Sequence, residues 1–174
     1  RRVLIIDDEP LLRELVSSAL ETEGYTISSA ASAAEGEAAL SDGFEGVVLL
    51  DLRLPDGLGI DLLEPMVARY HRIRVIIITA HTSVSAVAQA TRRGAYDFLT
   101  KDDGLTARLP VSVHNAFKDL EMSSRVSDLE RAVSDRQPFA NVIARSPQMA
   151  ELFATLRHVL DSRVTVMLLG ESGS

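Results

Sequence analysis

The sequence predicts an α/β fold, a doubly wound five-stranded parallel sheet with helices on both faces and a long helix following it. Two observations carry that expectation. The apolar runs Val3-Leu4-Ile5-Ile6, Val47-Val48-Leu49-Leu50 and Val75-Ile76-Ile77-Ile78 show no polar alternation, which is the pattern of strands buried on both faces. Helix-period stretches separate the runs at the spacing of βαβ units, whose right-handed crossovers place helices on both sides of the sheet. A third observation concerns function. The runs end in Asp7-Asp8-Glu9, Asp51 and Thr79, at the carboxyl edge where open α/β sheets hold their ligands.

In chain order, residues 3–6 form the first strand, and Pro10 opens a helix reaching about residue 23. Proline suits a first helical position, because the N–H it lacks would have no intrahelical partner there. Leu11, Leu12, Leu15, Val16, Ala19 and Leu20 are expected on the packing face of this helix. Gly24 stops it, residues 25–30 form the second strand, and residues 33–40 form an Ala- and Glu-rich helix. The central strand delivers Asp51 to a turn made by Pro55, Asp56 and Gly57. A helix over residues 60–70 contains Pro65, which is expected to bend or shorten it. Residues 75–78, a helix over 83–93 and a fifth strand over 96–101 complete the sheet.

From Leu109 the pattern becomes a long helix in which Val113, Ala116, Phe117 and Leu120 face the sheet. Met122, Val126, Leu129 and Val133 then recur at spacings of four, three and four, a narrow coiled-coil seam in an offset register. The expected organisation is a first domain over 1–108, a helix continuing as a coiled-coil linker over 109–137, and the incomplete start of another domain over 138–174. The linker helix is expected to make a homodimer.

The 174 residues are 46% hydrophobic and 25% charged, ordinary values for a globular protein. A net charge of −7 argues against a broad nucleic-acid-binding surface, since phosphate contacts need clustered Lys and Arg. With no cysteine there is no disulfide and no thiolate zinc site. No apolar run approaches the ~20 residues that span a bilayer. A cytoplasmic protein without membrane contact is expected.

Four strand ends carry Asp7-Asp8, Asp51, Thr79 and Lys101. Carboxylates brought this close repel, so either a pKa rises or a divalent cation binds. Oxygen-only ligands in a small site suit Mg²⁺. Lys101 supplies a point charge and Thr79 a hydroxyl for phosphoryl oxygens, and Asp51 can act as a phosphoryl-accepting nucleophile. An aspartyl-nucleophile phosphatase is a rival, but its general-acid Asp would stand two residues after the nucleophile, where this chain has Arg53.

Residues 3 to about 120 resemble a response-regulator receiver domain of two-component signalling. The matching pieces are Val3-Leu4-Ile5-Ile6-Asp7-Asp8-Glu9-Pro10, Asp51-Leu52-Arg53-Leu54-Pro55-Asp56-Gly57, Ile78-Thr79-Ala80 and Gly94-Ala95-Tyr96-Asp97-Phe98-Leu99-Thr100-Lys101. The resemblance implies the flavodoxin-like strand order 2-1-3-4-5 and a phosphoryl group passed to Asp51 from a sensor histidine kinase. It assigns Mg²⁺ to Asp8, Asp51 and the Arg53 backbone carbonyl, with Asp7 contacting the ion or a water on it. It puts Thr79 and Lys101 on the phosphoryl oxygens and makes Phe98 the aromatic that turns inward with Thr79 on activation. Arg53 and His81 hold positions that influence loss of the phosphoryl group. In one departure, Asp102-Asp103 follow Lys101 where the family usually has a cis proline, so a trans or distorted loop is expected.

Residues 139–174 resemble the opening of the AAA+ ATPase domain of sigma-54-dependent activators, through Ile143-Ala144-Arg145-Ser146-Pro147-Gln148-Met149 and Val166-Met167-Leu168-Leu169-Gly170-Glu171-Ser172-Gly173. Gly170 and Gly173 would belong to its ATP loop, whose lysine lies beyond the last residue, so this stretch is expected to bind no nucleotide. The resemblance implies the regulatory region of an activator that engages sigma-54 RNA polymerase and DNA elsewhere, a signalling protein and not an enzyme. The alternative is a pseudo-receiver that serves only for dimerisation or binding.

Overall fold

A computed structural model describes residues 1–41, 43–80, 83–136 and 151–152 of the chain. Its elements are β1 (Arg2–Ile6), α1 (Pro10–Thr22), β2 (Thr26–Ala30), α2 (Ala33–Ser41), β3 (Gly46–Leu50), β4 (Arg53–Leu54), β5 (Gly57–Leu58), α3 (Gly59–Arg69), β6 (Ile73–Thr79), α4 (Val84–Arg92), β7 (Asp97–Thr100) and α5 (Leu105–Arg136). Five strands pair in parallel in the order β2-β1-β3-β6-β7. Counting only the sheet strands, that is the expected 2-1-3-4-5 order. The turn after Asp51 is a two-stranded antiparallel hairpin of β4 and β5, with Leu54 opposite Gly57.

Strand alternation divides the core in two. Val3, Ile5, Val47, Leu49, Ile76 and Ile78 point to one face, where Val16 and Leu20 of α1 and Leu105, Leu109, Val113, Ala116 and Phe117 of α5 cover them. Leu4, Ile6, Val48, Leu50, Val75 and Ile77 point to the other, under Leu40, Leu63, Met66 and Ala90 of α2, α3 and α4. The unbroken apolar runs are thus explained: every residue of β3 is buried on one side or the other. Each such side chain contributes about 1.5–3 kcal/mol by leaving water.

Two details differ from the sequence expectation, and α3 keeps about its expected length. On α1, Leu11 is 81% exposed and Leu15 50% exposed, while Val16 and Leu20 are buried and Leu12 partly so. Leu12, Val16 and Leu20 stand four apart and fill the stripe that meets the sheet, which leaves Leu11 and Leu15 on its flank. The α3 helix runs on through Pro65 to Arg69. Buried Leu63 and Met66 hold it to the sheet, and the Arg93 guanidinium donates to the Ile60 carbonyl at 2.8 Å in its first turn. The α5 helix starts at Leu105, not Leu109, because Asp102 nucleates it: the Asp102 carboxylate accepts the Gly104 N–H and its carbonyl accepts the Leu105 N–H, both at 2.9 Å. Buried Leu105 then anchors that first turn on the sheet.

The chain divides into two compact units, Arg1–Ser124 and Arg125–Ser174. The first holds the whole sheet. In the second, the described residues are helical, comprising the end of α5 and residues 151–152. Val113, Ala116, Phe117 and Leu120 pack on the sheet as expected, whereas Met122 and Val126 are exposed. His81, the side chains of Leu129 and Val133, and the segment with Gly170 and Gly173 lie outside the described residues. Among the described residues, no helix is long and apolar enough to cross a membrane.

Candidate functional site

Parallel pairing brings the carboxyl ends of β1, β3, β6 and β7 side by side. The ladder continues one residue past the strands: the Asp7 N–H donates to the Ala30 carbonyl, the Asp51 N–H to the Ile6 carbonyl, and the Lys101 N–H to the Thr79 carbonyl, at 3.1, 2.9 and 3.0 Å. Asp7, Asp51 and Thr79 are buried at the mouth of the sheet, and Asp8 is exposed beside them. One carboxylate oxygen from each of Asp7, Asp8 and Asp51 lies within 4.8 Å of the others.

Lys101 occupies the centre of this group. Its ammonium lies 2.6 Å from Asp51 Oδ2, 2.8 Å from Asp7 Oδ2 and 2.7 Å from Glu9 Oε1. Its side chain is only 8% exposed. The other oxygens of the two buried acids go to backbone. Asp51 Oδ1 accepts the Arg53 N–H at 3.3 Å, and Asp7 Oδ1 accepts the Glu9 N–H at 2.9 Å. Arg13 of α1 donates to the Asp7 carbonyl at 2.6 Å, tying the first helical turn to the acidic strand end.

Burial pushes the Asp7 carboxyl above the usual range, and the neighbouring Asp51 charge adds to it, against the opposing hydrogen bonds from Lys101 and the Glu9 N–H. Burial pulls the Lys101 ammonium down, but its hydrogen bonds to Asp51, Asp7 and Glu9 outweigh that and leave it above the ordinary lysine range. The lysine therefore stays charged, with three carboxylates around it. An all-oxygen donor set with one destabilised buried acid fits a small divalent cation, which would relieve the repulsion that the ammonium only partly neutralises.

The loop after Asp51 is fixed by backbone contacts. Gly59, the first residue of α3, donates to the Leu52 carbonyl at 3.0 Å, and a Cβ placed on it would stand 1.9 Å from the Asp51 carbonyl oxygen. Only a glycine allows that approach. At the hairpin tip, Asp56 accepts the Ala33 and Ala34 N–H groups at 2.9 and 3.0 Å, capping α2 from a distant part of the chain. Those two bonds hold its carboxyl below the usual range.

The structure thus brings Asp7, Asp8, Asp51, Thr79 and Lys101 together. Arg53 stands at the start of β4 with its N–H on Asp51. Phe98 is partly buried and packs against the core face formed by α2, α3 and α4. The Lys101–Asp102 peptide is trans, and Lys101 reaches both buried aspartates from it. Glu9 was not singled out from sequence as a partner of Lys101; its only signal was being the third acid of Asp7-Asp8-Glu9.

A family model for the response regulator receiver domain matches residues 3–109. The chain is 35% identical over 172 residues to the C4-dicarboxylate transport transcriptional regulatory protein DctD of Rhizobium meliloti (strain 1021), an alignment covering 99% of this chain and 37% of that protein. Among solved structures, the beryllofluoride-activated NtrC4 receiver domain dimer is similar with a TM-score of 0.64 and 34% identity, covering 68% of this chain and 98% of that one. NtrX from Brucella abortus in complex with ADP gives a TM-score of 0.70 at 30% identity, covering 91% of this chain and 35% of that one. The chain spans a little over a third of the length of the curated relatives it matches. Because the family match takes in more than half of the sequence and the sheet order agrees with it, the chain belongs, over residues 3–109, to the response regulator receiver domain family.

Proposed function

We propose that the chain is the phosphorylation-controlled regulatory region of a sigma-54-dependent transcriptional activator, with Asp51 as its phosphoryl acceptor. The observation that carries this reading is the position of Asp51 Oδ2. It is buried, 2.6 Å from a lysine ammonium, and beside two further acids. An oxygen of Asp51 attacks the phosphorus of a sensor kinase's phosphohistidine; the P–N bond breaks and the imidazole nitrogen keeps its electron pair. Lys101 moves from its carboxylate partners onto a phosphoryl oxygen, and the Thr79 hydroxyl donates to another. Asp7, Asp8, Asp51 and the Arg53 carbonyl would hold Mg²⁺, which when bound supplies neutralisation of the charge on the transferring group.

The added charge draws Thr79 toward the acceptor and shifts Phe98 and α4 between two states. Residues 109–137 pass that shift on as a linker, whose exposed Met122 and Val126 suit a helical homodimer. Residues 138–174 open a AAA+ domain whose assembly the receiver controls, and the complete activator engages sigma-54 RNA polymerase and DNA in the cytoplasm. DctD, a transcriptional regulatory protein aligned along 99% of the chain, supports this setting.

Mg²⁺-dependent fluoroberyllate binding, followed by light scattering, tests the site and the linker together. Binding with a change in oligomeric mass is expected. A chain that binds no fluoroberyllate is instead a pseudo-receiver.

A further inference from the structure

The residues on either side of Lys101 are bonded to each other. The Thr100 hydroxyl donates to Asp102 Oδ2, and the Asp102 N–H donates to the Thr100 carbonyl at 2.9 Å. Arg108, in the first turn of α5, closes this ring. Its Nη2 reaches the Thr100 carbonyl at 3.2 Å, Thr100 Oγ1 at 2.9 Å and Asp102 Oδ1 at 2.6 Å, and its Nε donates to the Gly104 carbonyl at 3.2 Å. On the inner side, the Lys101 N–H is tied to the Thr79 carbonyl at 3.0 Å. The backbone that carries the lysine is therefore gripped from both sides.

We propose that Thr100, Asp102 and Arg108 form a clasp that positions Lys101 for the phosphoryl group and makes the first turn of α5 part of phosphoryl recognition. This rests on the reading of Lys101 as a phosphoryl contact. The three are positioning residues, since their bonds are to one another and to backbone and not to the reacting atoms.

An ordinary helix cap explains only part of the network. The bonds from the Gly104 and Leu105 N–H groups to Asp102 complete a cap. They require neither the Thr100 hydroxyl nor the contacts Arg108 makes with Thr100. Those extra bonds all converge on the two residues flanking Lys101. A lysine side chain has four rotatable bonds along its stem, so holding its base limits the freedom lost on contact with a phosphoryl oxygen. The Arg108–Asp102 ion pair is half-exposed, and such pairs contribute little to stability. Its loss is therefore expected to leave the fold intact and to show at the site.

The test uses the full chain with T100V, T100S and R108Q, measuring Mg²⁺ affinity by calorimetry and fluoroberyllate affinity by ¹⁹F NMR at saturating Mg²⁺. Under the clasp, T100V and R108Q weaken fluoroberyllate about tenfold, the scale of one charge-assisted hydrogen bond. Mg²⁺ affinity stays unchanged in both, and T100S, which keeps the hydroxyl, behaves as wild type. Wild-type binding in T100V and R108Q overturns the clasp while leaving the phosphoacceptor reading in place. Equal losses of Mg²⁺ and fluoroberyllate affinity also overturn it, because they mark a general structural role. Should R108Q fail to fold, T100V and T100S decide the matter alone. A wild-type chain that binds Mg²⁺ but no fluoroberyllate overturns the underlying reading, and the clasp with it.

Discussion

Asp7 and Asp51 are held in the same way. In each, Oδ1 accepts the backbone N–H two residues on, Glu9 at 2.9 Å and Arg53 at 3.3 Å, and Oδ2 accepts the Lys101 ammonium, at 2.8 and 2.6 Å. The backbone bonds orient both carboxylates whatever Lys101 does. Under the proposed function the lysine leaves for a phosphoryl oxygen while the acids remain aimed at one point.

Replacing Lys101 with Met removes the shared cation from buried acids and is expected to destabilise the chain by ~3 kcal/mol at neutral pH, as for a broken buried ion pair. Urea unfolding with and without Mg²⁺ checks this, and added Mg²⁺ should recover part of the loss. The pH dependence has a definite sign. Asp7 titrates above its unfolded value, so the folded state takes up its proton first, and the deficit of the variant narrows as pH falls through the folded Asp7 pKa. A deficit that widens on acidification would contradict the assignment.

Gly59→Ala reverses the usual effect of such a change. In a helix, alanine is normally favoured over glycine by roughly 0.5–1 kcal/mol. At Gly59 the added Cβ meets the Asp51 carbonyl oxygen at 1.9 Å, with the Asp51 carbonyl carbon and Leu52 Cα also within 3.2 Å. Net destabilisation is expected in thermal unfolding and, under the proposed function, slower phosphoryl uptake, because Asp51 itself must shift.

Asp56 ties the tip of the β4–β5 hairpin to α2. Asp56→Ala should lower the thermal midpoint and speed hydrogen exchange at the Ala33 and Ala34 amides. Its folded pKa lies below the unfolded value, so its contribution is present above that unfolded value and is lost as pH falls through the folded one. Carbon-detected NMR titration of the Asp56 carboxyl reads this directly.

The packing face and the flank of α1 should respond differently. Leu20→Ala empties a fully buried position and is expected to cost about 2–5 kcal/mol. Leu11→Ala, at an exposed position, should stay within roughly 0.5 kcal/mol of wild type. Denaturant midpoints of the two variants separate the observed packing face from the broader one expected from periodicity alone.

Much of the fold was legible because β1, β3 and β6 each contain an unbroken four-residue apolar run. Runs such as Val75-Ile76-Ile77-Ile78 admit few readings besides a doubly covered strand, and the strand ends then place Asp7, Asp51, Thr79 and Lys101 together. What stayed hidden depended on contacts between distant residues. Periodicity could not say which leucines of α1 meet the sheet, because that follows from how the helix is rotated against β1 and β3. The start of α5 at Leu105 is hidden behind Asp102-Asp103-Gly104, a loop-like stretch whose capping bond from the Gly104 N–H to Asp102 has no local sequence signal. Glu9 on Lys101 and Asp56 on α2 span 92 and 23 residues, separations that a local pattern does not register.

The central claim is that Asp51 accepts the phosphoryl group, and incubation with acetyl phosphate and Mg²⁺ followed by intact-mass spectrometry tests it most directly. The wild-type chain should gain the mass of one phosphoryl group, lose it in base as an acyl phosphate does, and gain nothing when Mg²⁺ is chelated. D51N should remain unlabelled. Labelling of D51N to the wild-type extent, or a wild-type chain that takes up no phosphoryl group with Mg²⁺ present, would contradict it.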